Sequence, residues 1–518
     1  MIAHPFSRRS VMKGVAAMIA GTASPHLSAA AEESGLRFDY ESLIAIAQER
    51  AQEPFEDRRT PVEEPWLSMT FDQYRKIRFN PDSAAWRGER LFSLQFFHVG
   101  SFYDRETPIY SVREGMATPF AFDPAMYTYG DLAVADAPIP EGHAGFRIHY
   151  PLHSDRTHDE FAVFLGASYF RLIGRNQRYG VSARGLAVDT AAAEGEEFPA
   201  FVAFWIEEPP EDGTEIVLYA LMDSPRITGA YRFVLRPRTE SQMDIKATLF
   251  ARQEIGKVGI APLTSMYLFG ENDRAGFDDF RPEVHDSDGL MMQTAVGEWL
   301  WRPLINPTQL QVSSLLDSGP RGFGLAQRDR DFANYQDLEA MYERRPGLWI
   351  QPLEDWGPGR VELVEIPSNS EIHDNIVAYW VSDQPFVPGE PREFTYLATA
   401  FGDHAGWPPG ARVEATRIGS AARPGSTEEA PEEARLFVID FGGGDLPHLR
   451  EDQPIEAVVT TSDGNVANVI TQKIPETGGW RAFFDYVPGE PDASTLRCYL
   501  RHRGNTLSET WTYLWTRT

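Results

Sequence analysis

The sequence predicts an all-β protein, a large antiparallel β-sandwich followed by a small immunoglobulin-like β-sandwich. Three observations carry that prediction. Aromatic residues make up 12% of the chain and prolines number 38, a composition for strands and loops rather than a helical bundle. Runs rich in Phe, Tyr, Val and Ile recur between turn signals such as Pro209-Pro210 and Asp223-Ser224-Pro225. Helical periodicity is confined to short stretches. At 518 residues the chain also has room for more than one core.

Taken in order, residues 1–31 read as a twin-arginine export signal. Arg8-Arg9 precedes a weakly apolar run, and Ala29-Ala30-Ala31 supplies the cleavage site. The run is broken by Gly21 and Pro25 and is too short to span a bilayer. Export by this route places the mature chain, already folded, in a bacterial periplasm. Leu43, Ile44, Ile46, Ala47 and Ala51 predict a helix over 40–52, and 71–77 predicts a second. Strands are expected over 91–98, 161–171, 198–206, 215–222, 231–235 and 243–252. A third helix is expected over 332–344, then strands over 361–366, 376–381 and 393–401. Gly406-Trp407-Pro408-Pro409-Gly410 reads as a linker. It sets a boundary near residue 408, with a large domain over 32–405 and a small one over 411–518. About seven short strands in the small domain suggest the immunoglobulin-like count.

The charge of −28 argues against nucleic acid and anionic membrane surfaces as partners, because their phosphates would be repelled. A neutral ligand fits better. Cys498 is the only cysteine, so no disulfide can form within the chain and no cysteine-pair zinc site exists. Asp286-Ser287-Asp288-Gly289 opens like a calcium loop, but its glycine comes too early and Gly297 stands where the closing glutamate belongs. Neither G-x-S-x-G nor H-E-x-x-H occurs. Gly442-Gly443-Gly444 lacks the spacing of a dinucleotide loop. No metal and no cofactor is expected.

One stretch stands out. From Arg281 to Arg302 it carries Glu283, Asp286 and Asp288 around His285, then Glu298, Trp299, Trp301 and Arg302. Carboxylates beside aromatic rings suit a carbohydrate. Rings stack on the apolar faces of sugars, and carboxylates bind hydroxyls or move protons. A polar loop with its tryptophans in the core fits the same residues. A second stretch, V-E-L-V-E-I-P-S-N-S-E-I-H-D-N-I-V-A-Y-W from Val361 to Trp380, ends in a strongly apolar run.

Together with R-P-E-V-H-D-S-D-G-L, G-E-W-L-W-R-P-L, R-G-F-G-L-A-Q-R-D-R and Y-Q-D-L-E-A-M-Y-E-R-R-P, this stretch resembles the periplasmic glucan biosynthesis proteins, types G and D. The likeness covers essentially the whole mature chain, and the export signal makes it more similar to type D. The resemblance implies two β-sandwich domains and glycoside hydrolase activity. Such an enzyme cleaves the β-1,2-glucan backbone of osmoregulated periplasmic glucans internally, with inversion. Some relatives transfer the glycosyl group instead and form cyclic products. It implies Asp286 as base, Asp374 as acid, and Tyr342 and Glu371 beside a proton path through water. The chain departs from the family at Ile372 and His373, next to the acid, which puts the acid's surroundings in question.

Inversion needs one protonated carboxyl for the leaving oxygen and one carboxylate to activate water. Asp286 lies in a polar run and is expected to stay ionised. Asp374 leads into the apolar strand and is expected to be desolvated, with its pKa raised. Glu283 and Asp288 are the substitutes for this pair and, with Arg302, Arg321, Arg345, Trp299 and Trp301, the candidates for holding sugar. Trp349 and Trp356 are further stacking candidates. The partners to consider besides glucan are a membrane-bound glucan synthase and a second copy of the chain. A glucan escort without catalysis, and a structural module docking on a synthase, are the rival readings. The escort needs a groove but no facing pair of aspartates, and the structural module needs neither.

Overall fold

The computed structural model describes residues 36–134, 137–274, 276–403, 408–422 and 431–517. The stretch expected to be an export signal lies outside the described residues, as do Gly406 and Trp407 of the expected linker and most of the acidic loop after it. Among the described residues strands dominate and every helix is short. Most strand pairings are antiparallel, so the protein is all-β as expected.

Two sheets form the main sandwich. The longer one runs from the N-terminal edge through Ala200–Glu207, Ile216–Asp223, Ile227–Arg236, Gln242–Ala251, Arg392–Phe401, Gly347–Pro352, Gly322–Ala326, Gly289–Gln293 and Trp299–Pro303. The facing sheet runs from Gln311–Asp317 through Gly359–Glu365, Ile376–Ser382 and Val258–Ser265 to Ser93–Phe97. Aromatic rings bind the layers together. Phe146 meets Phe204 at 5.0 Å, and Phe164 meets Phe233 at 5.3 Å, edge to face. The outer face of the long sheet is also apolar because the Tyr40–Ala51 helix covers it. That helix starts on an Asp39–Ser42 capping box and buries Leu43 and Ala47.

Two local expectations need correction. The strand expected over 161–171 is a hairpin, Asp159–Leu165 and Tyr169–Leu172. Gly166 and Ala167 take positive φ between them, a local turn that a count of apolar residues does not register. The helix expected over 332–344 stops after Tyr335, where Gln336 turns left-handed at φ 55°. The Asp337 carboxylate then accepts from the Glu339 and Ala340 amides, and only the short Tyr342–Arg344 turn follows. This break carries Tyr342 and Arg345 to the site described below.

Beyond residue 408, Arg412–Ser420, Arg435–Gly442, Trp480–Val487 and Asn465–Lys473 form a four-stranded sheet. The opposing strands, Thr510–Thr516, Ala493–His502 and Ile455–Thr461, continue the long sheet. The join is a parallel pairing, Leu300 opposite Thr510 and Trp301 opposite Trp511. One apolar cluster holds Met291, Trp301 and Trp349 together with Phe437, Phe484 and Trp511. Gly289 allows this packing, since a Cβ there would lie 2.2 Å from the Trp301 ring.

Candidate active site

The site is assembled where the two sheets exchange partners. The Val258–Ser265 strand pairs with Ile376–Ser382 as far as Ser265 opposite Ile376. The chain then turns to pair Tyr267–Phe269 with Val284–His285. Asp286 follows at once, its amide donating to the Met266 carbonyl at 2.8 Å. Asp374 precedes the Ile376–Ser382 strand. Sheet pairing thus brings together two segments far apart in sequence.

Asp286 is only 5% exposed, and Arg345 Nη1 donates to its Oδ1. The same guanidinium lies 4.3 Å from the centroid of the Tyr342 ring. Tyr342 Oη donates to Glu371 Oε2 at 2.7 Å, and Arg281 Nη1 reaches that oxygen at 2.8 Å. Arg281 is held in turn by Asp279 and Asp337. Asp374 sits three residues beyond Glu371 and is exposed, within electrostatic reach of Asp286. Burial pushes the Asp286 carboxyl above its ordinary range, Arg345 opposes that, and the charge of Asp374 adds to it. Burial also raises the Tyr342 phenol, with Glu371 reinforcing the effect, so it stays protonated.

The burial expected from the sequence is therefore reversed. Asp286 is enclosed because its polar run folds under the Tyr342–Arg345 turn. Asp374 stands in the open because the apolar character of its strand begins only after it. Ile372 and His373 are exposed beside it, Ile372 to 81%.

Asp286, Tyr342, Arg345, Glu371 and Asp374 come together. The other candidates lie elsewhere. Trp301 is 4% exposed under the Arg328 guanidinium, 3.6 Å from its ring centroid. Trp299 is half-buried and stacks on Trp349 at 5.5 Å. Trp356 packs edge-on against Phe394 and Tyr396 in the main core. Arg302 is buried beside Glu365 at 3.6 Å. Arg321 is exposed and donates to the Ala295 carbonyl. Glu283 is buried against His285, and Asp288 accepts the Arg328 and Asp329 amides.

Sequence reasoning missed Arg171 and Tyr169. Arg171 acts electrostatically on Asp286, and Tyr169 feels Asp374 while the Arg184 guanidinium lies 5.1 Å from its ring centroid. Nothing in their strand marked them out. It also passed over Gln327 and Asn375, although both lie inside the motifs quoted above. Gln327 Nε2 donates to the carbonyls of His285 and Tyr342, tying the two halves of the site together.

A scan against family models matches residues 38–515 to the periplasmic glucan biosynthesis protein, MdoG. The chain belongs to that family. It is 45% identical over 483 residues to the glucans biosynthesis protein G of Vibrio cholerae, covering 92% of this chain and 87% of that protein. The protein of the same name from Ralstonia nicotianae is 45% identical over 498 residues, 94% of this chain and 98% of its own length. Glucans biosynthesis protein G 1 of Shewanella oneidensis is 45% identical over 484 residues, with 92% and 87% covered. Membership places the chain in periplasmic glucan biosynthesis. No helix among the described residues is long and apolar enough to cross a membrane.

Behind the site of this family member lies a small cavity against the Arg412–Ser420 strand, lined by Glu271, Glu283, His285, Asp288 and Asp329. Glu283, His285 and Asp329 place ligating atoms within 4.8 Å of one another, a spacing that a cation accepts. The hydrogen bonds favour a different occupant for the ring, a second proton. Both Gln327 Nε2 contacts are to carbonyls, so Gln327 Oε1 must accept from His285 Nδ1 at 2.9 Å. His285 Nε2 faces the Glu283 carboxylate at 2.8 Å. Burial opposes charge on this ring, but Glu283 outweighs it and lifts His285 from 6.5 to about 9. Burial lifts Glu271 from 4.5 to about 7, against Arg417.

Both groups hold their protons more tightly in the folded chain than in the unfolded one. The Glu271 contribution is complete below its unfolded value of 4.5 and is lost as pH rises toward about 7. The His285 contribution is complete below 6.5 and is lost toward about 9. At about 1.4 kcal/mol per pKa unit, ionising Glu271 as pH rises from 4.5 to about 7 costs the fold roughly 3–4 kcal/mol. The melting temperature should therefore fall steadily from mildly acidic to alkaline pH, and Glu271→Gln should flatten the acidic half of that fall. A calorimetric series across this range that is level, or that rises with pH, contradicts the assignment.

Proposed function

We propose that this family member is a periplasmic glycoside hydrolase of glucan biosynthesis that cleaves β-1,2-glucan internally with inversion. Asp286 is the base that activates water and Asp374 the acid that protonates the leaving oxygen. The observation that carries this reading is the electrostatic meeting of Asp286 and Asp374 at one site, with the Arg345–Tyr342–Glu371 chain beside them. Burial makes Asp286 a stronger base, and Arg345 preserves its carboxylate form. The protonated Tyr342 phenol, hydrogen-bonded to Glu371, supplies a polar path along which water can pass a proton toward the exposed Asp374. Asp374 is open to a polysaccharide arriving from solvent. The family's place in glucan biosynthesis supplies the substrate class.

The reading is tested by incubating the protein with linear β-1,2-glucan and analysing products by mass, linkage and anomeric configuration. Shorter linear chains released with inverted configuration support it. Cyclic products assign transfer in place of hydrolysis. Intact glucan after prolonged incubation removes the enzymatic reading and leaves the escort.

A further inference from the structure

Asn375 directly follows Asp374 and is 2% exposed. Its side chain does the work of a strand neighbour. Oδ1 accepts from the Tyr267 amide at 2.8 Å, and Nδ2 donates to the Tyr267 carbonyl at 2.9 Å and to the Ile366 carbonyl at 3.0 Å. The Ile366 amide donates back to the Asn375 carbonyl at 2.9 Å. Regular pairing between the two strands ends at Ser265 opposite Ile376, so these amide contacts extend the ladder beyond its last backbone rung. On its other side Tyr267 pairs with His285, the residue before Asp286. The connection from one aspartate to the other is thus Asp374, Asn375, Tyr267, His285, Asp286, and each non-covalent step is a backbone position held by hydrogen bonds.

We propose that Asn375 is a positioning residue that sets the place of Asp374 relative to Asp286. The inference rests on the glucan-cleaving reading above and adds to it the device that spaces the two carboxyls. No other side chain of this size satisfies the three contacts. Asp accepts from the Tyr267 amide but donates to neither carbonyl. Ala leaves all three backbone groups without their partner. Gln keeps the amide but adds a methylene, moving the chain by about 1.5 Å. A displacement of about 1 Å at reacting groups is enough to lower a rate on the order of 10²-fold.

The test compares the unaltered chain, Asn375→Asp and Asn375→Ala on linear β-1,2-glucan, each rate taken per folded molecule and each variant also made with Asp374→Asn. We expect kcat to fall about 10²-fold with KM changed less than about threefold, as for a residue that acts on the reacting geometry and not on binding. In the Asp374→Asn background the Asn375 change should alter the residual rate less than about twofold, because Asn375 acts through Asp374. Asn375→Asp keeps the shape and one contact, so it carries the test should Asn375→Ala not fold. A lowered melting temperature with kcat within about threefold of the unaltered chain overturns the inference alone, since it leaves only a stabilising role. So does a full, additive loss in the Asp374→Asn background. No turnover by the unaltered chain overturns the functional reading and this inference together.

Discussion

On the proposed reading, replacing Asp286 by Asn is expected to lower β-1,2-glucan cleavage by about 10³-fold while glucan binding stays within about threefold. Asn keeps the shape of the side chain and an oxygen for Arg345 Nη1, so the geometry around Tyr342 is retained. What disappears is the group able to take a proton from water. Folding of the variant is read from its melting temperature beside the rate, because Asn also leaves the Arg345 guanidinium without its counter-charge. The Asp286 carboxyl is held above its ordinary range by burial, so its charge opposes folding, and a neutral amide removes that opposition. Asp374→Asn is expected to act equally, by removing the transferable proton from an exposed position where no packing is disturbed. The measurement is the cleavage rate of each variant beside a binding isotherm on the same glucan. Near-normal cleavage by Asp286→Asn ends its assignment as base. Equal loss of cleavage and binding leaves the escort reading.

The largest stability effect is expected at Glu509. Its carboxylate is fully buried and takes Arg328 Nη1 and Nη2, together with the Val413 amide at 2.7 Å. Arg328 also donates to the Val413 carbonyl and lies against the Trp301 ring. One guanidinium thus ties the Trp299–Pro303 strand to the start of the Arg412–Ser420 strand and to Glu509 before the last strand. Glu509→Gln leaves a buried cation without its counter-charge, which costs about 3–5 kcal/mol. Replacing both partners, as Arg328→Met with Glu509→Leu, should recover most of that loss, because the desolvation of both charges is removed with the pair. Denaturant titration of the two variants beside the unaltered chain checks this. A Glu509→Gln midpoint that does not move would mean that the pair contributes nothing to holding these strands together.

Much of the site was legible because its chemistry sits in compact stretches. Asp286, Tyr342, Glu371 and Asp374 were named through the family resemblance of their motifs, and the structure sets Arg345 on Asp286, Glu371 on Tyr342 and Asp374 within electrostatic reach of Asp286. Arg345 was named only as one of several arginines able to bind sugar, and its contact with Asp286 depends on the broken helix before it. The tryptophans were the poorer guide. A ring beside carboxylates in sequence has the same local signature whether it stacks on sugar or packs into a core beside Trp511, and Trp301 was drawn inward by a strand some two hundred residues away.

What the sequence by itself determined was the class of fold and the chemical inventory. Alternating apolar runs and Gly/Pro turns specify strands locally, a single cysteine excludes disulfides within the chain, and long motifs specify the family. What only the tertiary structure decided was which carboxylate is enclosed and which is open. Burial is a property of what packs over a residue, and the segments that cover Asp286 and spare Asp374 lie far from both along the chain. Strand pairing at Tyr267, the left-handed break at Gln336 and the Asn375 amide settle that environment. The pairing at Tyr267 and the Asn375 amide are hidden from a window of neighbouring residues because their second partners are distant in sequence, and the break at Gln336 is a local left-handed turn that apolar periodicity does not register.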